Sequence, residues 1–241
     1  MVPTASVTET LPRPLTRRVT WLFAAVLALG LTLSSCNARH DTDDHEQEAH
    51  GTTKPKLAPV APPPSLRDTL QLLAQQLDTV HRIGCWDEDF ARLMSVHHAG
   101  AQRLAALEVA QGKDSTLRTL AQHVLKSHER DNHILTLALT REPPGGQEYR
   151  PGNAKDPFVR RIAAALAPLR QLPPTPGPLD ADFATLMQVH HQSGVALAQT
   201  ELAFGKNTEL RDAARRIVRD EQAEIKQYQR WLKAHPAAPS N

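Results

Sequence analysis

Two adjacent histidine pairs, His97-His98 and His190-His191, sit in near-identical strings, DEDFARLMSVHH and DADFATLMQVHH. Each is followed downstream by a polar pair three residues apart, His128 with Asp131 and Glu221 with Glu224. Imidazole and carboxylate both bind copper, zinc and iron, and residues three apart on a helix share a face. Each set can therefore aim at one cation. The alternative for the same groups is a metal-free network of histidine–carboxylate hydrogen bonds. Buried polar and charged groups without partners are costly, and a cation removes that cost by pairing them, so a duplicated set of this kind is read as a metal site. Other chemistries lack a motif: the chain has no glycine-rich phosphate loop, no G-x-S-x-G elbow and no H-E-x-x-H pair.

The residues recur because the chain repeats itself. Asp87 to Arg118 aligns with Asp180 to Arg211 at a constant offset of 93 residues, LAALEVAQGK answering LAQTELAFGK, and such self-similarity marks an internal duplication. Phe90, Met94, His97, Ala101, Leu104 and Glu108 step by four and three, the seam of a bundled helix. Phe183, Met187, His190, Gly194, Leu197 and Glu201 repeat it, and Gly112 and Gly205 close these helices. A second helix follows in each copy, its seam carrying Leu117, Ala121, Val124, His128, Asp131 and Leu135, echoed by Leu210, Ala214, Ile217, Glu221, Glu224 and Tyr228.

Loops of a few residues force each helix pair antiparallel. The pattern predicts an all-α protein, an antiparallel four-helix bundle made of two duplicated hairpins, each preceded by a shorter helix. The first repeat spans residues 65–142, a linker rich in proline and glycine spans 143–155, and the second repeat spans 156–236. Folding each hairpin about its loop brings His97 level with His128 and Asp131, and His190 level with Glu221 and Glu224. His98 and His191 stand one step off the seam, turned inward or to solvent. Glu108 and Glu201 lie three turns from the histidines, about 16 Å away at ~1.5 Å per residue, and are expected to pair with Arg118 and Arg211, the alternative being a second site near the loop end. Cys85, with His81 four residues before it, is read as buried packing, and His123 and His133 as exposed or weakly paired.

The first residues read as an address. Arg13, Arg17 and Arg18 precede an apolar run from Trp21 to Leu33 that ends in Leu33-Ser34-Ser35-Cys36, the parts of a secretory signal. The run is about 13 residues against the roughly 20 that span a bilayer, so a plain signal anchor or stop-transfer segment is the weaker alternative. The last four residues resemble the lipobox of bacterial lipoproteins, which implies lipidation of Cys36, a leader over 1–36 and a protein held at the cell envelope by a lipid anchor in the membrane. Residues 37–64, acidic and histidine-bearing and then proline-rich, read as an unpacked tether.

Without the leader's three arginines and one glutamate the remaining chain is formally neutral, and only 4% of all residues are aromatic. Neither the basic footprint nor the stacking surface of a nucleic-acid binder is present. Two cysteines make no disulfide framework.

The pattern D-x-x-F/D-F-x-x-x-M-x-x-H-H, the following Leu-Ala, and then Gln222-x-Glu224-Ile225 and Trp231-Leu232 resemble the bacterial family catalogued as domain of unknown function 305. The resemblance covers residues 87 to 139 and again 180 to 232, as two tandem copies. It implies a ferritin-like four-helix bundle, export, and, for methionine-rich members, periplasmic copper binding. By resemblance Met94, His97, His98, Met187, His190, His191 and Glu224 occupy motif positions. Leu104-Ala105 and Leu197-Ala198 stand where the family has Met-Ala, Tyr228 replaces a further methionine, and His128-Glu129-Arg130-Asp131 replaces the first copy's Gln-x-x-Glu-Ile. Fewer thioethers shift the donor set from soft Cu(I) toward imidazole and carboxylate sites for Cu(II), zinc or iron.

The leading expectation is an exported, membrane-tethered metal-binding protein that buffers or hands on copper or zinc. A di-iron oxidoreductase is second, weakened because Glu221-x-x-Glu224 and His128-x-x-Asp131 depart from the Glu-x-x-His motif of such centres. The third is a metal-free helical interaction module with a hydrogen-bonded histidine core.

Overall fold

The computed structural model describes residues 65–141, 145–175 and 177–236, and among them every regular element is an α-helix. The leader with Cys36 and the tether lie outside the described residues. Helix α1 spans Leu66–Thr79, α2 Trp86–Gln111, α3 Ser115–Arg141, α4 Pro157–Arg170, α5 Leu179–Phe204 and α6 Thr208–Ala234. No described helix is long and apolar enough to cross a membrane.

Local chemistry sets the helix starts. Ser65 and Asp68 form a reciprocal capping box on α1, and Asp156 accepts the Phe158 and Val159 N–H groups ahead of Pro157 in α4. Asp114 caps α3 through the Leu117 N–H, and Asn207 caps α6 through the Leu210 N–H. The glycines after α2 and α5 have φ of −62° and −59°, so they are not there for a left-handed turn. They provide room: a Cβ on Gly112 would stand 2.3 Å from Glu108 Oε1, and one on Gly205 2.0 Å from Glu201 Oε1.

Helices α2, α3, α5 and α6 form the antiparallel four-helix bundle that the repeat predicts. The antiparallel course of α2 and α5 is visible at both ends. Asp87 at the start of α2 accepts the N–H groups of Lys206 and Asn207 after α5, at 2.9 and 2.8 Å, and Asp180 at the start of α5 accepts those of Lys113 and Asp114 after α2, both at 2.9 Å. The short helices α1 and α4 pack on the α2 and α5 side, burying Leu70, Leu73, Phe158 and Ile162. Leu73 presses so close to α2 that a Cβ on Gly100 would lie 2.3 Å from it.

The segment between the repeats is more than a spacer. Tyr149 is buried, packs its ring at a tilt against Phe158 with centroids 4.7 Å apart, and donates its hydroxyl to Asp89 Oδ2 at 2.7 Å. Asp89 also accepts the N–H groups of Ile83 and Gly84, so one buried carboxylate ties the linker to the start of α2.

Candidate metal centre

Helix α2 delivers His97 and His98 to the middle of the bundle, α5 delivers His190 and His191, α3 delivers His128, and α6 delivers Glu221 and Glu224. All seven are 0 to 3% exposed. His97 and His190, equivalent in the repeat, meet with ring centroids 3.8 Å apart, and His190 Nε2 lies 3.0 Å from the His97 carbonyl oxygen, placed to donate to it. That bond uses one nitrogen of His190; its Nδ1 and both nitrogens of His97 have no protein partner.

His98 faces the other way, toward α3 and α6. Its Nδ1 lies 3.0 Å from Asn132 Oδ1, and an amide oxygen only accepts, so the proton sits on Nδ1 and the Nε2 lone pair points inward. Holding a metal-binding imidazole by its other nitrogen in this way is the usual outer support of a site. That Nε2 lies 4.0 Å from Glu221 Oε1, and His128 Nε2 lies 3.8 Å from the same oxygen. None of the three atoms has a hydrogen-bond partner or reaches solvent. One ligand atom from each of the three residues lies within 4.8 Å of the others. An ion equidistant from all three would sit about 2.2–2.5 Å away, near the ~2.0–2.2 Å of imidazole and carboxylate bonds to zinc.

His128 also joins His190 and His191 in a second group whose ligand atoms lie within 4.8 Å of one another. His191 Nε2 stands 2.7 Å from Glu224 Oε2, but without hydrogen-bond alignment. A Cβ on Gly194 would lie 2.2 Å from Glu221 Oε2, so this glycine makes the space in which the carboxylate sits. Tyr228, fully buried, brings its ring to 5.7 Å from that of His191, with its hydroxyl unpartnered.

The electrostatics follow from burial. His97, His128 and His190 are held well below the ordinary imidazole value by loss of solvent and then by the neighbouring histidines. His98 is lowered to about 4, again by burial first. Burial, reinforced by Glu224, pushes Glu221 well above the usual carboxylate range. Neutral imidazoles with free lone pairs are in the state that binds metal.

Several placements differ from the hairpin-by-hairpin reading. The convergence joins the two hairpins: His98 meets His128 of its own repeat and Glu221 of the other, and His97 meets His190 of the other repeat. A helix turns about 100° per residue, and the packing of α2 against α5 takes up the His97 direction, leaving His98 to face the second layer. Asp131 is buried but turned to Arg130, 3.1 Å away, and lies in none of the groups of converging ligand atoms. Met94 and Met187 are fully buried in the hydrophobic core, three residues before the histidine pairs.

Glu108 and Glu201 form no ion pair with Arg118 or Arg211. Arg211 instead donates to the carbonyls of Leu202 and Gly205. Each glutamate faces the opposite repeat's capping aspartate, Asp180 or Asp87, and burial followed by those carboxylates pushes Glu108 up to about 8, while Glu201 rises to about 9.

Cys85 is buried, and burial raises its thiol. It lies within 4.8 Å of ligand atoms of Asp87 and Glu148. Those carboxylates are already engaged, Asp87 by two backbone N–H groups and Glu148 by the Trp86 N–H and Lys206 Nζ at 2.8 Å. Asn132 and His123 are the site neighbours that seam periodicity does not mark. Only their helical phase relates them to His128, with Asn132 four residues after it and His123 five residues before it.

The structure resembles two solved structures. One is the crystal structure of a DUF305 fragment from Deinococcus radiodurans, 28% identical, with a TM-score of 0.45 over 62% of this chain and 96% of that one. The other is CopM in the Cu(I)-bound form, 22% identical, with a TM-score of 0.47 over 62% of this chain and 97% of that one. No curated protein matches. The family match is one span across both hairpins, residues 87–232, where the resemblance implied two tandem copies. The two repeats together therefore fill one family unit, and the chain belongs to the family described as Domain of unknown function (DUF305).

Proposed function

We propose that this protein binds a metal ion inside the bundle, with His98, His128 and Glu221 as ligands and with His97, His190, His191 and Glu224 completing the donor set around them. The observation that carries the reading is the convergence of three buried, unpartnered ligand atoms, His98 Nε2, His128 Nε2 and Glu221 Oε1, within coordination reach of one point. A metal-free network would bring a donor to each lone pair, and these have none. Copper is the first choice of ion, because sites rich in imidazole nitrogen and carboxylate oxygen favour Cu(II) over other divalent first-row metals, with zinc next. We also infer that the chain is exported and held at the cell envelope by a lipid on Cys36, a reading supported by the arginine-led apolar run and the four residues ending in that cysteine. Its role there is to buffer or pass on the ion.

The test is metal content after exposure to copper, zinc and iron in turn, for the untagged chain and for His98→Ala and Glu221→Gln. A difference of at least one ion per chain between wild type and both variants is expected. Equal content in all three would overturn the assignment of these ligands, and the acidic histidine-bearing segment before Ser65 serves as a constant background in each sample.

A further inference from the structure

An ion bound among side chains that are almost wholly shielded from solvent needs a way in, and the two copies of the repeat differ where that way must be. Glu224 offers one carboxylate oxygen to each side. Its Oε2 stands 2.7 Å from the buried His191 Nε2, and its Oε1 stands 3.6 Å from Nε2 of His123, a side chain 60% exposed. Oε1 is itself buried and has no hydrogen-bond partner, so it is not spent on His123. A separation of 3.6 Å is close to that of two ligands on one tetrahedral ion, about 3.4 Å for bonds near 2.1 Å, and water can fill the remaining positions at this surface.

The repeat supplies an internal comparison. At the offset of 93 residues His123 corresponds to Arg216, and Glu224 to Asp131. On that side the carboxylate is flanked by fixed positive charge: Arg130 lies 3.1 Å from Asp131, and Arg216 acts on it electrostatically. Guanidinium groups carry no lone pair for a metal and stay charged at all working pH. They repel an approaching cation, whereas a neutral imidazole binds it.

Building on the metal-binding reading above, we propose that His123 and Glu224 form the loading port of the site: an incoming cation is first held between His123 Nε2 and Glu224 Oε1, then passes to the His191 side of the same carboxylate, while the Asp131 side is closed by Arg130 and Arg216. His123 is then a transient ligand that governs rate and leaves equilibrium content unchanged.

The experiment is stopped-flow loading of the metal-free full chain with Cu(II) or Zn(II), followed by competition with a chromophoric chelator, together with metal content at equilibrium. His123→Ala is expected to load roughly tenfold or more slowly than wild type, the scale on which a local field focuses ions at a cleft, with unchanged final content. Arg216→Ala, at the equivalent position, is expected to load at the wild-type rate or faster. Equal loading rates for His123→Ala and wild type would overturn the port. A lower final content in His123→Ala would also overturn it, by making His123 a resident ligand. Failure of the wild-type chain to take up either ion would instead refute the metal-binding reading beneath it. His123 lies largely at the surface, so its replacement does not threaten the fold.

Discussion

Glu221→Gln should make the metal-free protein more stable and the metal-loaded protein weaker. Glu221 is 1% exposed, and neither of its oxygens has a hydrogen-bond partner. Burial raises its folded pKa well above the ordinary 4.5. A carboxyl whose folded pKa is raised contributes its full stability below the unfolded value and loses it as pH rises through the folded value. At pH 7.5 the unfolded chain gains by ionising while the folded one must keep the proton or bury a charge. Each pH unit between 4.5 and the assay pH is worth at most about 1.4 kcal/mol, which sets a ceiling of about 4 kcal/mol at pH 7.5. A glutamine avoids this cost, and its amide can donate toward the free Nε2 lone pairs of His98 and His128. Relaxation and the compactness of the unfolded chain reduce the gain to roughly 1–3 kcal/mol. Urea unfolding of chelator-treated wild type and variant at pH 7.5 and pH 4.5 measures it. The variant should gain at pH 7.5, and the gain should disappear at pH 4.5. A loss of stability in the metal-free variant, or a gain of the same size at both pH values, would refute the argument that Glu221 is an uncompensated buried acid.

Other perturbations carry definite outcomes. Glu201→Gln should gain stability relative to wild type as pH rises from 4.5 toward about 9, because burial and then Asp87 hold the folded glutamate protonated up to that range; a flat difference in guanidinium melts across this window would contradict it. Gly194→Ala should cost about 1–3 kcal/mol as an overpacked core position and lower metal affinity by displacing Glu221, since the new Cβ would fall 2.2 Å from its carboxylate; an unchanged melting temperature and affinity would contradict the geometry. Asp89→Asn should destabilise by about 2–3 kcal/mol, having removed a charged acceptor that serves Tyr149 and two backbone N–H groups, and limited proteolysis should then cut near residues 145–152 first.

The fold was legible because one apolar period, written twice, left few topologies open. The seam from Phe90 to Glu108 and its echo from Phe183 to Glu201 place two long helices, and Lys113 and Lys206 mark loops too short for anything but hairpins. The buried polar residues were legible too, since His98, His128, His191, Glu221 and Glu224 interrupt or flank that seam. Which of them meet was not legible. Helical period fixes a residue's angle about its own axis, whereas the rotation of one hairpin against the other is set by close packing at particular sites. Gly100 admits Leu73 from α1, Gly194 admits Glu221, and Asp87 and Asp180 lock each repeat to the other's loop. These contacts turn His98 toward His128 and Glu221 and set His97 against His190. Asn132 and His123 stayed hidden for the same reason, being off the seam and made relevant only by a partner from another helix. For Glu108 and Glu201 the sequence offers an arginine ten residues along as the partner, whereas the fold brings an aspartate from the opposite repeat to each.

The position of the ion itself can be read from anomalous scattering at the metal edge in crystals of the copper- or zinc-loaded chain. A peak bounded by His98 Nε2, His128 Nε2 and Glu221 is expected, at bond lengths of about 2.0–2.2 Å. A bundle interior without a peak, with metal only at other residues, would contradict it.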